Sequence, residues 1–250
     1  MFRMMKLKPP HGWRAVAWEL VIVTLGVLIA LFVQQWAENR SWDARTRLTT
    51  AAISRELAGH YTWAVEWRVV TPCLNAQIDQ LNQRVQGSGA RLDPAPIHSE
   101  PNQPDYVLRM PTKDYLSSAW QSAINDGVSL HLDDRMRDEL SAHYAIVTNL
   151  VPLTWQNNDD RQALVGLGRP IPLDPTVRYS MLRTLDELSG RIAMMDFVVG
   201  ELIDHVQTLD MVPPASGVKS EVARRGTYRF CRANRLPMRS FEEAMKGMTN

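Results

Sequence analysis

The chain has 250 residues, with 28 Lys and Arg against 27 Asp and Glu, for a formal net charge of +1. That balance excludes the broadly basic surface that general nucleic-acid binding needs, and an apolar content of 45% excludes wholesale disorder. Arg3, Lys6, Lys8 and Arg14 place +4 in the first 15 residues, which leaves −3 for the remainder.

Residues 15–36, AVAWELVIVTLGVLIALFVQQW, contain a single ionisable side chain, Glu19. At about 1.5 Å per residue the stretch from Ala15 to Val33 covers roughly 28 Å as a helix, close to a bilayer core of about 30 Å. A buried core helix normally shows a polar stripe, and Leu20 to Val33 has none. Trp13 and Trp18 stand at one end, Trp36 and Trp42 at the other, as interfacial belts do. The apolar run is longer than a signal-peptide core and no small-x-small cleavage site follows it, so an uncleaved anchor in the lipid bilayer is expected. The Lys and Arg bias toward the N-terminal side puts the tail in the cytoplasm and the C-terminal part in the periplasm. Gly26 and Ala30 form a small-xxx-small pair that permits close helix approach and a homodimer. Glu19 either reaches back to headgroups and Arg14 or meets a partner helix, since intramembrane charge is costly.

Glu19-Leu20, Gly26 to Leu31, Gln34-Gln35-Trp36 and the Glu38 to Arg40 exit resemble the N-terminus of a family of uncharacterised bacterial single-pass inner-membrane proteins. A second stretch, Ala119-Trp120 through Gly127 to Leu132-Asp133, is similar to a further block of its proteobacterial members. The resemblance covers about a fifth of the chain. Position 27 is Val where the family more often has Ile. It implies a single-pass anchor and a helical domain, and it carries no assigned activity.

Beyond Trp36 the helical pattern continues, with Leu57, Tyr61 and Val65 four apart, until Thr71-Pro72 is expected to interrupt it. A further helix carries Leu74, Ile78, Leu81 and Val85 on one face and ends at Gly87-Ser88-Gly89. Residues 90–110 hold Pro94, Pro96, Pro101 and Pro104 and read as an extended loop, with His98 and Glu100 its reactive side chains. Thr112 and Gly127 are the expected caps of the next helix, whose apolar face is Leu116, Ala119, Trp120, Ala123 and Ile124. Asp133 caps another, with Met136, Leu140, Tyr144, Val147 and Val151 on its face and Pro152 to bend or end it. A connector over 157–169 precedes Asp174-Pro175, a strong helix start. From Val177 to Leu209 apolar residues recur at steps of four and three, a seam for other helices of the domain or for a second copy. Pro213-Pro214 ends it, and Phe241 to Met248 forms a short closing helix.

The expected fold is therefore all-α: a tail over 1–14, an anchor over 15–36, a helical stalk over 37–72 and a periplasmic helical bundle over 73–250. Cys73 and Cys231 fall on the periplasmic side, where a disulfide can persist, and a bridge is favoured over two buried thiols. Lys219, Arg224, Arg225, Arg229, Arg232, Arg235 and Arg239 make a dense basic segment, either paired with acidic neighbours or offered to anionic headgroups or polymer. No metal, cofactor or catalytic motif stands out, and no enzyme is expected. Glu56 and His60, like Glu139 and His143, are four apart, a spacing common on helix surfaces. The leading function is an interaction or scaffold protein of the cell envelope. The alternative is a small-molecule or envelope-state sensor acting through a partner membrane protein.

Overall fold

A computed structural model describes residues 12–99, 104–112 and 115–248. Most of the expected tail, including Arg3, Lys6 and Lys8, and also Glu100 and Pro101, lie outside the described residues. The described residues are all-α, with two isolated antiparallel bridges, Arg91 to Pro172 and His98 to Tyr106, as the only extended pairing among them. Among the described residues seven α-helices follow one another: α1 (Gly12–Gly87), α2 (Ser118–Asn125), α3 (Asp134–Ala163), α4 (Pro175–Thr208), α5 (Ala215–Arg224), α6 (Gly226–Ala233) and α7 (Phe241–Ala244). Short 3-10 turns, Val128–His131 and Leu164–Gly168, precede and follow α3.

The chain divides between Thr49 and Thr50 into two compact units. The first holds the apolar stretch of α1, long and apolar enough to cross a membrane, with none of its side chains buried. Gln34 donates to Glu38 and Gln35 to Asn39, each one turn on. The Arg40 guanidinium lies 5.6 Å from the Trp36 ring centre and that of Arg45 5.1 Å from Trp42.

The second unit is built on the continuation of α1. Burial begins at Ile53 and is unbroken from His60 to Thr71, so the helix is covered on every side there. Two sequence expectations are corrected by this. Residues 60–71 are core, with Ile53 and Leu57 buried ahead of them, rather than part of a free-standing stalk, and the helix does not stop at Thr71-Pro72. Proline removes one helical hydrogen bond and disturbs the preceding turn. Here that turn is supported: the Val69 carbonyl accepts the Arg239 N–H at 3.0 Å, while the single Thr71 hydroxyl proton lies between two acceptors, the Trp67 carbonyl at 2.9 Å and Asp196 at 3.2 Å. At its C-terminal end α1 is closed by Arg178 of α4, which donates to the carbonyls of Val85, Gln86, Ser88 and Gly89. A cation at that end also opposes the helix dipole.

α3 and α4 pack antiparallel, tied by His205 to Glu139 near one end and by Arg191 to Asn157 and Asp160 near the other. Asp133 and Asp174 cap them as expected, each carboxylate accepting two backbone N–H groups of the first turn. The α4 seam from Leu185 to Val206 is buried within the single chain. Pro152 does not end α3, and 157–163, expected as connector, are its last turns. An interior proline costs about 3 kcal/mol, and the burial of Val147 and Leu150 just before it and Thr154 just after it offsets that.

Two smaller expectations also change, and a third gains detail. α2 starts at Ser118 rather than after Thr112, and of its expected face Leu116 is 64% exposed while Trp120 and Ala123 are buried. The proline-containing loop is not a free excursion: Leu92 donates to Ile171, Ala95 to Leu167, and Leu173 to Ala90, which buries Leu92, Val107, Leu108 and Met110. The closing helix is only Phe241–Ala244.

Cys73 of α1 and Cys231 of α6 form a disulfide, with their Cα atoms 6.0 Å apart and 158 residues of sequence separation. A loop of that length loses enough chain entropy to stabilise the fold by about 5 kcal/mol in the simplest treatment, and measured losses run at about 2–5 kcal/mol. Cys231→Ser, or reduction of the native chain, is expected to lower the unfolding free energy by about 2–5 kcal/mol. A guanidinium titration of the full-length protein in detergent measures this, and an unchanged midpoint would remove the bridge from the account.

Candidate functional site

The two Glu/His pairs that look like ordinary helix-surface spacing converge. α1 supplies Glu56 and His60, α3 supplies Glu139, His143 and Tyr144, and α4 supplies His205. His60 Nδ1 and His143 Nε2 lie 3.0 Å apart, with the rings stacked at 5.3 Å between centres. His205 Nδ1 is 3.0 Å from Glu139 Oε2, and its ring stands edge-on to His143 at 6.5 Å. A line of three imidazoles thus runs from α1 through α3 to α4.

Glu56 holds a second role. Its Oε1 accepts the Tyr144 hydroxyl at 2.6 Å, and its Oε2 accepts the Ser118 hydroxyl and the Ala119 N–H, both at 3.1 Å. The residue before α2, Ser117, makes no capping hydrogen bond of its own. A carboxylate from a distant helix caps α2 instead, placed where the helix dipole favours negative charge.

Burial sets the protonation of this cluster. His143 is fully buried, and its pKa falls from 6.5 to about 2 through burial first, then His60 and His205. His60 is also lowered by burial, against the opposing pull of Glu56 and the Leu116 backbone. A single hydrogen bond between two imidazoles needs one donor and one acceptor, so two protonated rings would aim donors at each other. Burial raises the Tyr144 hydroxyl, with its bond to Glu56 adding to the effect, and burial raises Tyr115 well above its ordinary value.

Beside His60 lies a cavity of about 110 Å³. Its buried walls are His60, Trp63 and Tyr115, and Arg55, Gly59 and Leu116 bound its exposed side, with Glu56 between. The Trp63 and Tyr115 rings meet edge to face at 4.2 Å, and His60 and Tyr115 do so at 5.4 Å. Among the described residues no group of three His, Cys, Asp or Glu has the arrangement of a metal site.

The residues singled out from sequence are distributed differently. Glu19, Gly26 and Ala30 share one side of the exposed first stretch of α1, where a Cβ on Gly26 would meet nothing within 4 Å. Trp13, Trp18 and Trp36 are exposed there and Trp42 is half-buried. The basic segment splits. Arg225 pairs with the buried Glu66 at 2.6 Å, and the two line an open cleft of about 400 Å³ with Arg109 and Thr227. Arg239 grips Asp196 through both nitrogens at 2.9 and 3.0 Å, and Arg224 pairs with Glu221. Lys219, Arg229, Arg232 and Arg235 are exposed. Acidic neighbours thus account for three of the seven cations.

No protein-family model, curated protein or solved structure matches the chain.

The histidine pair makes stability depend on pH. Because the folded-state values lie below 6.5, the unfolded chain binds more protons on acidification, and stability falls as pH drops below about 6.5. Each ring contributes a slope of up to about 1.4 kcal/mol per pH unit. Urea midpoints from pH 7.5 to 5 are expected to fall in the native chain, and His143→Gln is expected to reduce that slope by about half. An identical slope in the variant would assign the pH dependence to other groups.

Proposed function

We propose that this chain is a single-pass protein of the bacterial inner membrane, N-terminus in the cytoplasm, whose periplasmic helical domain is an interaction or scaffold module of the cell envelope. The observation that carries the reading is the start of α1, an apolar stretch with no buried side chain, for which lipid is the natural cover. The Lys and Arg bias of the tail supports the orientation. The disulfide supports an oxidising compartment. The resemblance of the Glu19 to Arg40 region to single-pass bacterial proteins supports the setting. A protein partner is favoured by large side chains left in the open on α3 and α4: Trp155 at 57%, Tyr179 at 68%, Met194 at 54% and Phe197 at 50% exposure. Aromatic residues of this kind anchor protein interfaces. Glu19, Gly26 and Ala30 offer a route to a partner helix, or to a homodimer, within the bilayer.

The full-length protein is expected to remain with membranes after alkaline carbonate extraction and to crosslink in cells to a defined envelope protein. Trp155→Ala combined with Phe197→Ala is expected to reduce that crosslink at least about tenfold if the helical domain makes the contact. Glu19→Leu would remove it instead if the membrane segment does. A carbonate-soluble chain would overturn the anchor, and a chain with no crosslinked partner would overturn the scaffold.

A second reading is a sensor of a small molecule. The cavity beside His60, with aromatic walls and few polar groups, is the observation that favours it.

A further inference from the structure

The cavity beside His60 has a chemical character that narrows what it can hold, and this deepens the sensor reading by naming its ligand class. Three aromatic rings wall its buried side: Trp63, Tyr115 and His60. One carboxylate, Glu56, lines it as well. The groups that hydrogen-bond Glu56 are all neutral: a phenol, a serine hydroxyl and a backbone N–H. His60, the nearest candidate to balance that charge, is kept neutral by burial. Arg55 bounds the exposed side of the cavity, with its Nε turned back to the Ala51 carbonyl at 3.2 Å. The buried part of the site therefore sets one carboxylate beside aromatic side chains, with the one guanidinium at its exposed rim, a combination that attracts an organic cation.

Gly59 is the second observation. Glycine is a poor residue for a helix interior, and packing usually explains it. Here a Cβ would meet nothing within 4 Å, so no neighbour demands the glycine. Gly59 lines the exposed side of the cavity, with open space where its side chain would be. The volume, about 110 Å³, has room for about four waters, at about 30 Å³ each, or a compact ligand of similar size.

We propose that the Glu56, Gly59, His60, Trp63 and Tyr115 cavity binds a small methylated ammonium group, its charge facing Glu56 and its methyls against the aromatic walls. The ligand is a free quaternary amine or the trimethylammonium end of a larger molecule that extends past Gly59.

The test uses the full-length chain in maltoside micelles, which carry no ammonium groups. The indole N–H resonance of Trp63, identified by its loss in Trp63→Phe, is followed during titration with tetramethylammonium chloride, with sodium chloride at equal ionic strength, with sodium acetate and with phenol. A saturable shift with tetramethylammonium alone is expected. Glu56→Gln, which keeps an acceptor for Ser118 and Ala119, is expected to weaken it at least about tenfold. Gly59→Leu, which adds a side chain where nothing obstructs the Cβ, is expected to abolish it with the fold intact. Equal shifts with sodium chloride, or undiminished binding in Glu56→Gln or Gly59→Leu, would overturn the proposal. Binding of acetate or phenol instead would overturn the ammonium assignment while leaving a ligand-sensing cavity. Silence from every probe would remove both.

Discussion

Everything in the helical domain depends on one stretch of one helix. Residues 60–71 of α1 are covered on all sides, yet they include His60, Thr62, Glu66, Arg68 and Thr71. A buried polar group left without a hydrogen bond is costly, which favours an arrangement that supplies partners inside the protein. Four of these find a partner beyond α1, His143 for His60, Arg225 for Glu66, the Lys246 carbonyl for Arg68 and Asp196 for Thr71, while Thr62 donates back to the Ala58 carbonyl of the same helix. The helices wrap α1 in the register that supplies those partners. An apolar core helix would accept many registers of its neighbours, whereas this one is keyed.

The same keying links the fold to the candidate site. Glu56 caps α2 from a distance, and that holds Tyr115, just ahead of α2, against Trp63 and His60. The disulfide between Cys73 and Cys231 fixes α6 to the far side of the same helix. Arg225 and Arg239 then clamp the chain on either side of α6 through Glu66 and Asp196. The basic segment, conspicuous in the sequence as a run of charge, is thus partly internal architecture. Its remaining exposed cations, Lys219, Arg229, Arg232 and Arg235, are what a solvent-facing anion would meet.

Much of the fold was legible because it is governed by local rules. The Asp133 and Asp174 caps, the proline at the start of α4 and the four-three seam of α4 are properties of a helix and its own first turn. They appear in the structure as read. Thr71-Pro72 reads as an interruption, and Pro152 as a bend or an end, and the structure differs for the opposite reason. Whether a proline ends a helix is decided by what the rest of the chain supplies, here Arg239 for the carbonyl of Val69 and buried faces on both sides of Pro152. The candidate site was less visible still. Glu56/His60 and Glu139/His143 are visible as pairs, but nothing in their spacing says that α1 and α3 bring them face to face.

The sequence by itself determined the apolar stretch from Ala15 to Trp36, the all-α class of the described residues, the helix starts at Asp133 and Asp174, and the pair of cysteines available for a bridge. Hydropathy, capping and cysteine count act within a few residues or within one inventory, so they need no three-dimensional partner. Only the tertiary structure decided that α1 runs unbroken into the core, that Glu56 caps α2, that His60 and His143 share a proton position, and that an aromatic cavity opens at Gly59. Each of those depends on groups some 60 to 170 residues apart, and on the rule that a buried polar group must find its partner wherever the chain places it.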